Sequence, residues 1–145
     1  MTPVTLYPAS TNGAGPHRWA VRIETQLATG KAEKTLTGEN DPTRDYQLEL
    51  MAIKAGLGIL KAACVVTVAS YNETAIRLLD ELVVPGTPAL ALAVAEIREL
   101  VRMGGHRLRL LKLYADGLPA SGRPGGRERE AVEEAANVNE HFVSQ

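Results

Sequence analysis

Cysteine, tryptophan and phenylalanine each occur once in this 145-residue chain, and the formal net charge is only −1. The lone Cys64 has no partner for an internal disulfide and sits in an apolar run, which predicts a buried thiol, a reducing compartment and a cytoplasmic location. So few large aromatics leave little for stacking single-stranded bases. A balanced charge gives no global pull towards nucleic acid or an acidic membrane, so any such attraction has to be local. The longest apolar run, Ala89 to Ala95, is far too short to cross a bilayer, and no basic segment followed by a long apolar stretch opens the chain. Neither secretion nor membrane spanning is expected. Three scattered histidines beside one cysteine argue against a zinc site, a Walker sequence is absent, and no Ser-His-Asp or Cys-His spacing stands out. Acidic residues are missing from two long stretches, residues 1–23 and residues 50–72.

What is present suits one α/β domain spanning residues 1–145. With 45% hydrophobic and 23% charged residues, the composition is that of a globular chain able to bury one core. Val4-Thr5-Leu6-Tyr7 reads as a short strand ending at Pro8, and Asn12 to Pro16 as a loop. Arg18 to Thr25 alternates Trp19, Val21 and Ile23 with Arg18, Arg22 and Glu24, the period of a half-buried strand. Thr29-Gly30-Lys31 is a hairpin signal, with Ala32 to Glu39 returning as the antiparallel partner. From Asp45 to Ala63 the period becomes helical through Leu48, Met51, Ala52, Ala55 and Ile59, after start signals at Asp41-Pro42-Thr43. Cys64 to Ala69 is a continuous β-branched run, as in a strand buried on both faces. Helices follow at Asn72 to Leu82, stopped by Pro85-Gly86, and at Pro88 to Met103, stopped by Gly104-Gly105. Arg107 to Tyr114 is a last strand, residues 117–127 a mobile loop by composition, and residues 128–145 a terminal helix.

This order, with Gln47-Leu48-Glu49-Leu50-Met51-Ala52 in the central helix, resembles the ribonuclease H superfamily, whose central helix carries a closely similar Glu-Leu-Met-Ala run. Asn12 to Pro16 is similar to the family's Gly/Pro-rich loop between strands one and two, and Ala69-Ser70-Tyr71-Asn72 stands where its fourth strand meets the next helix. The resemblance covers residues 4 to 80 well and the remainder loosely. It implies a five-stranded mixed sheet, three antiparallel strands first and then parallel ones, flanked by helices. It also implies cleavage of RNA in RNA/DNA hybrids by two divalent cations held by about four carboxylates. Two such ions about 4 Å apart need several anionic oxygens to offset their charge.

Carried over position by position, the resemblance leaves that set incomplete. The acid ending strand one falls on Pro8 and the acid ending strand four on Ala69. Glu49 matches the helix acid, and Glu133 or Glu130 the acid of the last helix, while the family's loop histidine has no counterpart between Gly117 and Gly126. Glu49 and Glu133 are therefore catalytic remnants, and Glu49 is a weak metal candidate set against the simpler role of a hydrogen-bonded buried carboxylate. The implied function is a catalytically inactive domain that binds nucleic acid, duplex or hybrid, or a protein partner, with no cofactor. The alternative is a divergent nuclease using Mg²⁺ or Mn²⁺ on Glu49, Glu73, Asp116 and Glu133. A third reading is a homodimer built on the apolar helix from Pro88 to Leu100.

The candidate nucleic-acid contacts are His17 and Arg18 after the Gly-rich loop, and Arg98, Arg102, His106, Arg107, Arg109 and Lys112, the densest basic stretch. Arg123, Arg127 and Arg129 form a second set near the 117–127 loop. Strand alternation sends Arg107 and Arg109 one way, His106 and Lys112 the other.

Overall fold

The computed structural model describes residues 1–11, 17–40 and 45–114; the expected loop Asn12 to Pro16, the start signals Asp41 to Thr43, the 117–127 loop and the 128–145 helix lie outside the described residues. The described elements are β1 (Thr2–Thr11), β2 (His17–Leu27), β3 (Gly30–Asn40), α1 (Asp45–Gly58), β4 (Cys64–Ser70), α2 (Glu73–Leu79), α3 (Pro88–Gly104) and β5 (Arg107–Lys112).

They form a five-stranded sheet in the order β3-β2-β1-β4-β5. The first three strands meander antiparallel, with Leu6 opposite Ile23 and Val21 opposite Leu36. β1 to β4 and β4 to β5 run parallel, so this is the mixed sheet that the element order implies. One face carries the core. Val4 and Leu6 of β1, Val21 and Ile23 of β2, and Val66 and Val68 of β4 pack with Leu50, Ile53 and Leu57 of α1 and with Leu90, Val94 and Ile97 of α3. Fully burying each such aliphatic side chain contributes about 1.5–3 kcal/mol.

α1 lies between the sheet and the other helices, and Leu48, Glu49 and Leu50 are all buried in succession. A helix covered on most sides needs no polar face, and its pattern is correspondingly blurred. Gly56 sets its approach: a Cβ there would stand 3.1 Å from Leu6 Cδ2. Glu49, seven residues earlier, shares that sheet-facing stripe.

Several boundaries differ from those expected. β1 runs through Pro8 to Thr11, because its antiparallel ladder with β2 continues through Pro8 opposite Val21 to Thr11 opposite Arg18. α1 stops at Gly58, short of Ala63; glycine weakens the last turn, and Leu60 N–H closes a turn on the Leu57 carbonyl at 3.2 Å. α2 ends at Leu79 rather than Leu82, since Glu81 takes a left-handed φ of 62° and Leu82 N–H bonds back to the Arg77 carbonyl at 2.9 Å. β4 extends one residue, to Ser70, while β5 ends at Lys112 rather than Tyr114. α3 ends as expected at the glycine pair, with left-handed Gly105 as its cap, and the Thr87 side chain caps its start. Its apolar stripe is spent on this chain's own core, with Leu92 left 60% exposed.

Candidate functional site

β1 has antiparallel β2 on one side and parallel β4 on the other, and in open α/β sheets the ligand crevice lies outside the carboxyl ends of the parallel strands. The β1–β4 ladder closes with Leu6 opposite Val68. Two residues further on come Pro8 and Ser70, on the helix-facing side with Leu6 and Val68, and both are fully buried. Pro8 has no N–H with which to prolong the ladder. Pro8 and Ser70 therefore stand side by side at that place, buried under α1.

Glu49 of α1 reaches this point. It is 3% exposed, and the Ser70 hydroxyl donates a hydrogen bond to its Oε2 at 3.3 Å. Ser70 Oγ in turn accepts from Asn72 N–H at 2.9 Å, and Asn72 Oδ1 accepts from Ala75 N–H at 2.9 Å, capping α2. One chain of hydrogen bonds thus ties α1, β4 and α2 together. It supplies the buried Glu49 carboxylate with a donor, which removes part of the cost of burial.

The resemblance places the acid ending strand four on Ala69, and β4 continues one residue beyond it. Ala69 packs on the opposite face with Tyr7 and Leu113, and it is Ser70 that meets Glu49. The chemical consequence is unchanged, because both side chains are neutral. Glu73 turns outward, 63% exposed, to pair with Arg77 at 3.1 Å. Asp116, Glu130 and Glu133 lie outside the described residues.

Among the described residues, no group of three or more His, Cys, Asp or Glu side chains converges on a metal-sized site. Of the described residues at this place, Pro8 and Ser70 carry no charge and Glu49 supplies one carboxylate, whereas a pair of divalent cations demands several anionic oxygens at close range.

The basic candidates are scattered. Arg18 pairs with Glu39 at 3.1 Å on the β2–β3 face, and His17 begins β2 opposite Asn40. On α3, Arg98 bonds the Leu79 carbonyl and pairs with Glu81 at 3.4 Å, while Arg102 pairs with Glu99. His106 Nδ1 accepts from Cys64 N–H at 3.0 Å, joining the two strand entrances. Lys112 Nζ donates to the carbonyls of Tyr71 at 2.8 Å and Leu113 at 2.7 Å. Burial pushes the Cys64 thiol up from its ordinary pKa, as expected of a structural cysteine.

Arg107 and Arg109 stand apart. Both are exposed on β5, on the face away from α1 and α3, because Leu108 and Leu110 take the core side. The strand alternation was legible in the sequence. The separation of these two arginines from Arg98 and Arg102, by the thickness of the sheet, was not, because only the topology places α3 on the other face. Arg123, Arg127 and Arg129 lie outside the described residues.

No protein-family model matches the chain, and no curated protein does. Solved structures do. The N-terminal RNase H domain of a Mycobacterium tuberculosis protein, fused to maltose-binding protein, aligns with a TM-score of 0.66 at 13% identity over 96% of this chain and 99% of that one. RNase H1 from the halophilic archaeon Halobacterium salinarum NRC-1 gives 0.62 at 16% identity, covering 92% of this chain and 99% of its own. LC11-RNase H1, solved in complex with an RNA/DNA hybrid, gives 0.61 at 14% identity with the same coverage. Sequence identity this low speaks for architecture alone, and on that ground, with the strand order and its parallel switch at β1, this chain has the ribonuclease H-like fold.

Proposed function

We propose that the chain is a catalytically inactive ribonuclease H-like domain that works by binding, with a nucleic acid as the partner the reading favours over a protein. The observation that carries the proposal is the residue set at the ends of β1 and β4: Glu49 is buried and accepts from the Ser70 hydroxyl, with Pro8 at the matching end of β1. The resemblance assigns the acids of strands one and four to Pro8 and Ala69, both neutral, which supports the inactive reading. A fold neighbour solved with an RNA/DNA hybrid supports the choice of nucleic acid as partner.

The test is incubation with a labelled RNA/DNA hybrid in Mg²⁺ and, separately, in Mn²⁺. The expected outcome is no cleavage above that of a Glu49→Gln variant. Metal-dependent cleavage that disappears in Glu49→Gln would overturn the proposal and establish a divergent metal-dependent ribonuclease H instead.

A further inference from the structure

Ion pairing divides the arginines of the described residues into two groups. Arg18 pairs with Glu39, Arg22 with Glu24, Arg77 with Glu73, Arg98 with Glu81 and Arg102 with Glu99. Arg107 and Arg109 are the exceptions: both are exposed, and neither has an ion-pair or hydrogen-bond partner among the described residues. Their neighbours explain why. Across β4 they stand opposite Val65 and Thr67, and beyond those, on β1, come Pro3 and Thr5. None of these residues carries a side-chain charge.

The nearest carboxylate among the strand residues of that face is Glu24 on β2, three strands from β5. At about 4.8 Å per strand this separation is roughly 14 Å, beyond the screening length of about 8 Å at physiological ionic strength. Glu24 is also engaged already, by Arg22 and by Lys31 at 3.3 Å. Lys61, exposed and likewise without an ion-pair partner among the described residues, stands in the turn that enters β4 beside the start of β5. Among the described residues, the β5 end of this face is therefore a positive surface without a facing carboxylate, on a chain whose net charge is −1.

We infer that the outer face of β5 is a docking surface for a nucleic-acid backbone, with Arg107 and Arg109 as the phosphate-gripping pair and Lys61 at its margin. The inference rests on the nucleic-acid reading proposed above and assigns it a surface on the opposite side of the sheet from the Glu49 crevice. Residues two apart on a strand stand about 6.6 Å apart on one side, so two guanidinium forks can engage separate phosphates of one strand. Each fork matches a phosphate bidentately, which a lysine cannot do. The few aromatics make backbone contact, rather than base stacking, the mode this surface offers. A purely protective role for charge on an edge strand, which discourages pairing with other chains, makes a different prediction: glutamate at both positions would serve equally well.

The experiment is fluorescence anisotropy with a labelled RNA/DNA hybrid, titrated with the whole chain at 50 and at 200 mM salt. Arg107→Gln/Arg109→Gln is expected to weaken binding on the order of tenfold at low salt and to lower the salt slope by about 2, roughly 0.9 for each phosphate that is no longer neutralised. Arg107→Glu/Arg109→Glu is expected to abolish binding, while Arg102→Gln leaves it unchanged. Wild-type binding that survives both double substitutions would overturn the assigned surface and leave the proposed nucleic-acid function standing. No wild-type binding at 50 mM salt would overturn both. Retention on polyglutamate without affinity for the hybrid would also overturn the inference, in favour of an acidic protein partner.

Discussion

The crevice at the ends of β1 and β4 and the outer face of β5 belong to one sheet, yet they treat charge in opposite ways. At the first, one carboxylate of the described residues, Glu49, is buried and accepts a hydrogen bond from the Ser70 hydroxyl. On β5 two guanidinium groups face solvent with no carboxylate of the described residues set against them. A charge already satisfied inside the fold has little left with which to recruit an ion. A charge left to solvent is available to a partner of opposite sign. Glu49 is thus bound into the fold at one end of the sheet, while the charge left to solvent lies on the other face.

That contrast predicts that substitutions around the crevice act on stability, while those on β5 act on binding. The largest effect is expected beneath the crevice, where Leu6 and Ile53 have no exposed surface. Leu6→Ala or Ile53→Ala should cost about 2–5 kcal/mol of unfolding free energy, read by urea denaturation. A cost below about 1 kcal/mol would mean that the floor of the crevice is not the packed core described. Ser70→Ala comes next. It removes the hydroxyl that donates to Glu49 and accepts from Asn72 N–H, and should cost about 1–3 kcal/mol. Ser70→Thr, which keeps the hydroxyl, should recover part of that loss. An unchanged midpoint in Ser70→Ala would show that the hydrogen-bond chain from α1 to α2 contributes nothing. Smallest is the effect of Arg107→Gln/Arg109→Gln on the same unfolding curve, expected to stay within about 0.5 kcal/mol. A larger loss would show that these arginines support the fold, and would blur the division between the two regions.

Much of the architecture was legible from patterning alone. The period-two alternation of Trp19, Val21 and Ile23, the helical recurrence from Leu48 onwards, and the Gly104-Gly105 stop each reflect a local rule that the tertiary fold respects. The misjudged details have physical causes too. The run Cys64 to Ala69 is apolar or β-branched at every position and reads as buried on both faces, yet Val65 and Thr67 are only half-buried; its residues alone do not say which ones look towards α1, and it is Ser70, not Ala69, that meets Glu49. Pro8 reads locally as a stop, but the ladder with β2 carries β1 three residues beyond it. Leu60 and Ala62 continue the apolar composition past Gly58, and composition alone does not reveal that the chain has turned. At the site, Glu49 was identified from its helix and the missing acids from long stretches empty of Asp and Glu. Its partnership with Ser70, and the distance of Arg107 and Arg109 from the strand carboxylates described on their face of the sheet, depend on which strands lie side by side. That is set by long-range pairing, not by neighbours in the chain.

The central claim is that the crevice, with Glu49 tied to Ser70 and Pro8 opposite, does not hold a pair of divalent cations. Isothermal titration of the chain with Mn²⁺ tests it most directly. The account predicts no saturable binding at millimolar metal and the same flat trace for Glu49→Gln. Two equivalents of Mn²⁺ bound by the wild-type chain and lost in Glu49→Gln would contradict it.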